Sequence, residues 1–238
     1  MSDTQPLPMA HVLNHAGLNR QHVFDLASLP ADLVAPLAPA PHERQLILFG
    51  HAGRRLWECL QAQEPSTGHR SEHPIDEHSV RTVQTWLAQA LPQAKARWVY
   101  PGDLPIGLQR LGTLAGWHHP TPFMVGIDPV WGSWFAYRAA VLTDTHLPPT
   151  PPTRTNHPCD TCTDKPCITA CAAGALAGGQ LSLPACQAGR LADHSPCALG
   201  CTARNACPVG AEHRYEDSQI RHCSAVSLAF LRQYVGKP

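Results

Sequence analysis

Apolar and polar positions along this chain change their period several times. Gln45-Leu-Ile-Leu-Phe49 carries a short unbroken apolar run closed by Gly50, the pattern of a buried strand. Leu56 to Gln63 reads as a helix. Pro74 suits a helix start, where its missing donor is not needed, and Val80, Val83, Leu87 and Leu91 then recur every three or four residues as a core face. Arg97 to Tyr100 reads as a strand ended by Pro101-Gly102, and Ile106, Leu108, Leu111 and Leu114 as another helix. Phe123 to Ile127 and Ser133 to Leu142 read as two strands joined by Pro129 to Gly132, a predicted hairpin. Beyond residue 150 the pattern weakens. Short helices are predicted near Cys167–Leu176 and Leu183–Leu191. A final helix is predicted from about Asp217 to Tyr234, with Ile220, Cys223, Val226, Leu228, Phe230 and Leu231 as its apolar positions.

Cysteine placement sharpens that change. Of ten cysteines only Cys59 precedes residue 150. The joint is Leu147-Pro-Pro-Thr-Pro-Pro-Thr-Arg154, whose four prolines favour extended, stiff backbone. The pattern thus predicts an α+β domain over 1–148 and a cysteine-rich domain over 149–238.

Within the second domain the spacing is Cys159-x2-Cys162-x4-Cys167-x3-Cys171, then Cys186, then Cys197-x3-Cys201-x5-Cys207-Pro208. Eight thiolates supply four ligands to each of two cubane clusters. In the bacterial two-cluster pattern three closely spaced cysteines cap three irons, and the fourth is carried to the other cluster. That logic predicts two 4Fe-4S clusters, the first held by Cys159, Cys162, Cys167 and Cys207, the second by Cys171, Cys186, Cys197 and Cys201. Two details depart from the pattern: the second gap is x4 and holds Lys165-Pro166, and Ala172 stands where proline would follow Cys171. Two zinc sites would use the same eight thiolates, although structural zinc pairs short knuckles across a spacer. Cys59 and Cys223 read as buried thiols in helices.

Lys and Arg total 18 and so do Asp and Glu, so the formal net charge is zero. That neutrality argues against a nucleic-acid partner. No apolar run is long enough to span a membrane, and Met-Ser-Asp-Thr-Gln-Pro does not open a secretory signal. A cytoplasmic, reducing setting is the expectation, where dense cysteines mean metal or redox chemistry rather than disulfides. The fifteen histidines are scattered and read as ordinary surface or core imidazoles. Glu64, Asp76 and Asp128 are acids with no partner in sequence. Trp117, Trp131, Trp134, Phe135 and Tyr137 cluster round the predicted hairpin, more as core than as a cofactor platform.

The eight-cysteine set with its final Cys-Pro resembles the iron-sulfur domain of epoxyqueuosine reductases and corrinoid reductive dehalogenases. Leu111-Gly-Thr-Leu-Ala-Gly-Trp117, Gly126-Ile-Asp-Pro-Val-Trp-Gly-Ser-Trp-Phe135 and Leu142-Thr-Asp144 look like the stretch that precedes the clusters there. Residues 45 to 150 are also similar to the cobalamin-processing chaperone of the cblC type, through Gln45–Phe49, Pro74-Ile75-Asp76 and Ile127-Asp128-Pro129 leading to Gly132-Ser133-Trp134-Phe135-Ala136-Tyr137-Arg138. Asp128 stands where that chaperone has histidine. These resemblances imply a flavin-reductase-like (reduced nitroreductase-like) first domain, a bacterial-ferredoxin-like second domain, and Trp134 and Arg138 as contacts to cobalamin or flavin. The function they imply is a cobalamin-related oxidoreductase that receives electrons from a redox partner protein and passes them to the corrinoid. A ferredoxin-like carrier with a docking domain and a structural zinc module are the alternatives.

Overall fold

A computed structural model describes residues 7–63 and 73–235. Glu64 and the opening Met-Ser-Asp-Thr-Gln-Pro lie outside the described residues. The chain divides into two compact units, one running to Gly116 and resuming over Phe135–Arg154, the other made of Trp117–Trp134 and the chain from Thr155.

The first unit is α+β. In chain order it holds α1 (Ala10–His15), β1 (Arg20–Asp25), α2 (Ala31–Val34), β2 (Gln45–Ala52), α3 (Arg55–Ala62), α4 (Pro74–Ala90), β3 (Ala96–Tyr100), α5 (Leu108–Ala115) and β4 (Phe135–Thr143). Its four strands form one antiparallel sheet in the order β1-β2-β4-β3. Leu46, Ile47, Leu48 and Phe49 are all fully buried, so β2 is covered on both faces and its side chains need not alternate. α4 begins with Pro74 and has Asp76 and Glu77 in its first turn, where carboxylates suit the helix dipole. Its buried face is Ile75, His78, Ser79, Val83 and Trp86, rotated from the stripe read in the sequence. Trp86, the largest side chain available, takes the core position edge-on to Phe49 at 5.6 Å.

α1 and β1 carry no clear period and were not expected. β1 forms because β2 offers it an antiparallel edge over six residue pairs. The strand predicted over Phe123–Ile127 is absent. Its partner, β4, pairs with β2 and β3 instead. Pro120 and Pro122 remove donors there and Met124 has φ 63°, so only a single bridge, His119 to Ile127, survives. The turn over Pro129–Gly132 does form, closed by a bridge between Asp128 and Gly132.

The proline-rich joint is extended but tied down along the first unit. Gln45 exchanges hydrogen bonds with the Leu147 backbone, and Val23 does so with Thr150. Thr153 N–H donates to the Ala115 carbonyl at 3.1 Å. Gly116 is at φ +76°, and a Cβ there would lie 1.9 Å from the Thr153 carbonyl oxygen. The joint clusters with the first unit as far as Arg154, while Trp117–Trp134 clusters with the cysteine-bearing chain. Among the described residues no helix is long and apolar enough to cross a membrane.

His22 on β1 is 3% exposed and its ring packs 4.2 Å from Phe24. Burial disfavours the imidazolium and lowers its pKa to about 4. A depressed histidine stabilises the fold fully above its unfolded value near 6.5, and that contribution falls as pH drops from there toward 4. Urea titrations are expected to show a loss of up to about 1.4 kcal/mol per pH unit across that window, most of it removed in His22→Phe.

Candidate functional site

The second unit contains α6 (Pro166–Thr169), α7 (Leu183–Leu191), α8 (Thr202–Ala206) and α9 (Asp217–Val235), joined by turns that present thiols. His157 Nδ1 accepts from the Cys159 amide at 3.1 Å and caps the short turn Pro158–Asp160. Lys165 lies at φ 39°, which reverses the chain so that Pro166 can open α6 with Cys167 behind it. This is how the two extra residues of the x4 gap are accommodated. The helix predicted near Cys167–Leu176 stops early, and Cys171 stands in the turn after it. α7 carries Cys186 and is capped by the Ser182 hydroxyl, which accepts from Ala185 N–H at 3.4 Å. Ser195 Oγ accepts from the Cys197 amide at 3.1 Å. Cys201 caps α8, its sulfur accepting from Arg204 N–H at 3.5 Å. Cys207 follows α8, and the Thr202 hydroxyl ties the start of that helix to Ala172 N–H at 3.1 Å.

Cys159, Cys162, Cys167 and Cys207 line one cavity, walled by Pro122, Phe123, Ile127, Pro166 and Val209 among others. Burial pushes the Cys159 thiol up to about 11, and the charges of Cys207, Cys167 and Cys162 add to the shift. The Cys186 thiol is likewise raised, first by burial and then chiefly by Cys201, with Cys171 and Cys197 contributing. Cys171 thus stands near Cys186, and it also packs against the apolar cluster that contains Cys167. The backbone near Ile168 and Val209 opposes the same burial-driven rise at Cys167 and Cys207. Thiols such as Cys159, Cys167 and Cys207, raised by burial, suit a cationic core, since a metal deprotonates a coordinating thiol outright. Among the described residues no three His, Cys, Asp or Glu side chains gather tightly enough for one metal ion. The Cys159 set rings a cavity instead, which suits a group larger than an ion.

Arg204 organises the surroundings. Its guanidinium lies 4.3 Å over the Trp134 ring and 5.2 Å from that of Tyr215. It also donates to the Ser133 hydroxyl at 3.2 Å and to the Ser133 carbonyl. Trp134, expected as a cofactor contact, is fully buried under Arg204 and Tyr215 in the second unit. Arg138 lies in the first unit, where the register of β4 against β2 skips it between Tyr137 and Ala139, a bulge that re-aims its side chain. Its Nε donates to His51 Nδ1 at 2.9 Å, and Asp76 stands 3.9 Å from its Nη1. His51 is fully buried at the end of β2. Asp128 accepts from the Val130 and Trp131 amides at 2.8 and 2.9 Å, which makes it a turn former. His119 and His157 are not scattered: their rings lie 5.1 Å apart beside Cys159. Cys59 and Cys223 are half-buried rather than core thiols. Sequence reasoning missed Arg204, although it is the one arginine between Cys201 and Cys207.

The chain shares the fold of solved epoxyqueuosine reductases. A crystal structure of an epoxyqueuosine reductase with a tRNA-Tyr epoxyqueuosine-modified tRNA stem loop matches at a TM-score of 0.53 and 14% identity, over 89% of this chain and 68% of that one. The Bacillus subtilis epoxyqueuosine reductase matches at 0.52 and 14%, over 87% and 66%. A C. elegans B12-trafficking protein CblC aligns at 0.49 and 14%, over 92% and 90%. No family model and no curated protein matches the sequence. The tRNA complex corrects the expectation, drawn from zero net charge, that nucleic acid is excluded as a partner. A sum over the whole chain says nothing of how charge is distributed over one face.

Proposed function

We propose that this chain is a cytoplasmic iron-sulfur oxidoreductase holding two 4Fe-4S clusters, one on Cys159, Cys162, Cys167 and Cys207, the other on Cys171, Cys186, Cys197 and Cys201. Its electrons pass to a corrinoid or flavin held by a flavin-reductase-like first unit, with reductive cobalamin processing as the reaction. The observation that supports this reading is the cavity lined by Cys159, Cys162, Cys167 and Cys207, with Cys201, Cys171 and Cys197 near Cys186. Ferredoxin-type clusters supply one-electron transfer at low potential. The thiolates would hold the iron, and the Arg204 amide, which donates to the Cys201 sulfur, would stabilise added negative charge there. In the first unit Arg138 is the cation offered to the bound cofactor, held by His51 beside it. Both candidate cofactors carry a phosphate that a guanidinium suits.

Anaerobic purification with iron, sulfide, zinc, corrinoid and flavin measured on one sample tests the reading. Roughly eight iron and eight sulfide per chain are expected, with corrinoid or flavin retained. Iron and sulfide without either organic cofactor reduce the protein to an electron carrier. Zinc without sulfide makes it a structural module. A tRNA stem loop titrated into the same sample decides whether the substrate side follows the structurally similar reductase.

A further inference from the structure

Trp117–Trp134 contains no cysteine and precedes the joint, yet it is built into the cysteine-bearing unit. It is held there in register. His119 and Ile127 exchange both backbone hydrogen bonds at 2.9 Å, and Asp128 and Gly132 do the same at 2.8 and 2.9 Å. Gly132 and Gly210 meet backbone to backbone. A Cβ on Gly132 would lie 2.0 Å from the Val209 carbonyl oxygen, and one on Gly210 would lie 2.4 Å from Gly132 N. Both glycines have positive φ, so the contact sits where only glycine fits without strain. This fixes the segment against the chain just beyond Cys207.

At the tip of the segment Phe123 is 8% exposed while its neighbour Met124 is 61% exposed. Phe123 belongs to one apolar cluster with Cys167, Leu176 and Ala203, against which Ile168, Cys171 and Leu181 pack. With Ile127 it also walls the cavity lined by Cys159, Cys162, Cys167 and Cys207. That first set contains the two buried thiols, Cys167 and Cys207, whereas Cys201 of the second set is exposed.

We propose that Phe123, backed by Ile127, is a positioning residue that excludes water from the first thiol set and thereby keeps the reduction potential there low. The inference rests on the two-cluster reading. Reduction adds negative charge, which an apolar wall disfavours and water favours, and solvent exposure is one of the levers that set such potentials. The same wall keeps dissolved oxygen from the thiolate-bound iron.

The test compares full-length wild type, Phe123→Ala and Phe123→Leu, purified without oxygen, by redox titration followed by electron paramagnetic resonance. Cys162→Ser identifies which signal belongs to the first set. Phe123→Ala is expected to shift the first cluster's one-electron equilibrium toward reduction by about tenfold, about 59 mV upward, and the second cluster's by less. Bleaching in air should quicken several-fold, and Phe123→Leu, which keeps most of the volume, should restore most of both effects. An unmoved first potential at full iron content overturns the proposal, and so does an equal shift of both clusters. Should Phe123→Ala lose its iron, Phe123→Leu and Ile127→Val decide: a smaller upward shift of the first cluster supports the wall, and none overturns it. Wild type lacking iron and sulfide removes the two-cluster reading itself, a result separate from any comparison of variants.

Discussion

Serine at Cys171 is expected to abolish the same cluster as serine at Cys186, Cys197 or Cys201, and to spare the one lost in Cys159→Ser, Cys162→Ser, Cys167→Ser or Cys207→Ser. Each variant should fall from roughly eight iron to roughly four per chain and keep one of two paramagnetic signals. The contrast between Cys167→Ser and Cys171→Ser is the decisive one. These residues are four apart in sequence, yet Cys167 lines the cavity with Cys207, while Cys171 neighbours Cys186. α6 ends at Thr169, so the chain turns between the two thiols. Cys167→Ser and Cys171→Ser removing the same signal would refute the assignment. Serine is the suitable substitution because it keeps shape while its hydroxyl ligates iron far less readily than a thiolate.

Arg204→Met is expected to destabilise the second unit by about 2–4 kcal/mol, the combined weight of a stacked cation and charge-assisted hydrogen bonds. In a chain of this size that lowers the unfolding temperature by roughly 5–15 °C. The guanidinium joins α8 to the Trp117–Trp134 segment through Ser133, Trp134 and Tyr215. α8 in turn lies between Cys201 and Cys207, one from each set. The loss should therefore also accelerate release of both clusters to a chelator. Arg204→Lys should recover little, because an ammonium has neither the flat stacking face nor the forked donors. Thermal unfolding of iron-loaded protein and the rate of iron release measure both effects. Full rescue by lysine would show that charge alone matters at this position.

Local pattern sufficed wherever the cause was local. The apolar run at Gln45–Phe49, the proline start of α4 and the span of α7 each follow from side chains a turn or less apart, and each formed close to its expected place. The cysteine spacing is also a local signal, because a tight turn limits which thiols come together; it brings Cys159, Cys162 and Cys167 to one cavity. β1 and the face of α4 were misread or missed because partners distant in sequence decide them. β1 exists through β2, and Trp86 outweighs Leu87 because Phe49 is there to receive it.

By itself the sequence determined an α+β first part and a thiol-rich second part. Tertiary structure alone decided that Trp117–Trp134 belongs with the cysteines, that Trp134 is packed beneath Arg204, and that Arg138 stands apart from it against His51. The physical reason is range. Spacing and period report forces between residues close along the chain, whereas the glycine contact at Gly132 and Gly210, the stack of Arg204 on Trp134 and the Phe123 wall join residues 36 to 84 positions apart, which no local pattern records.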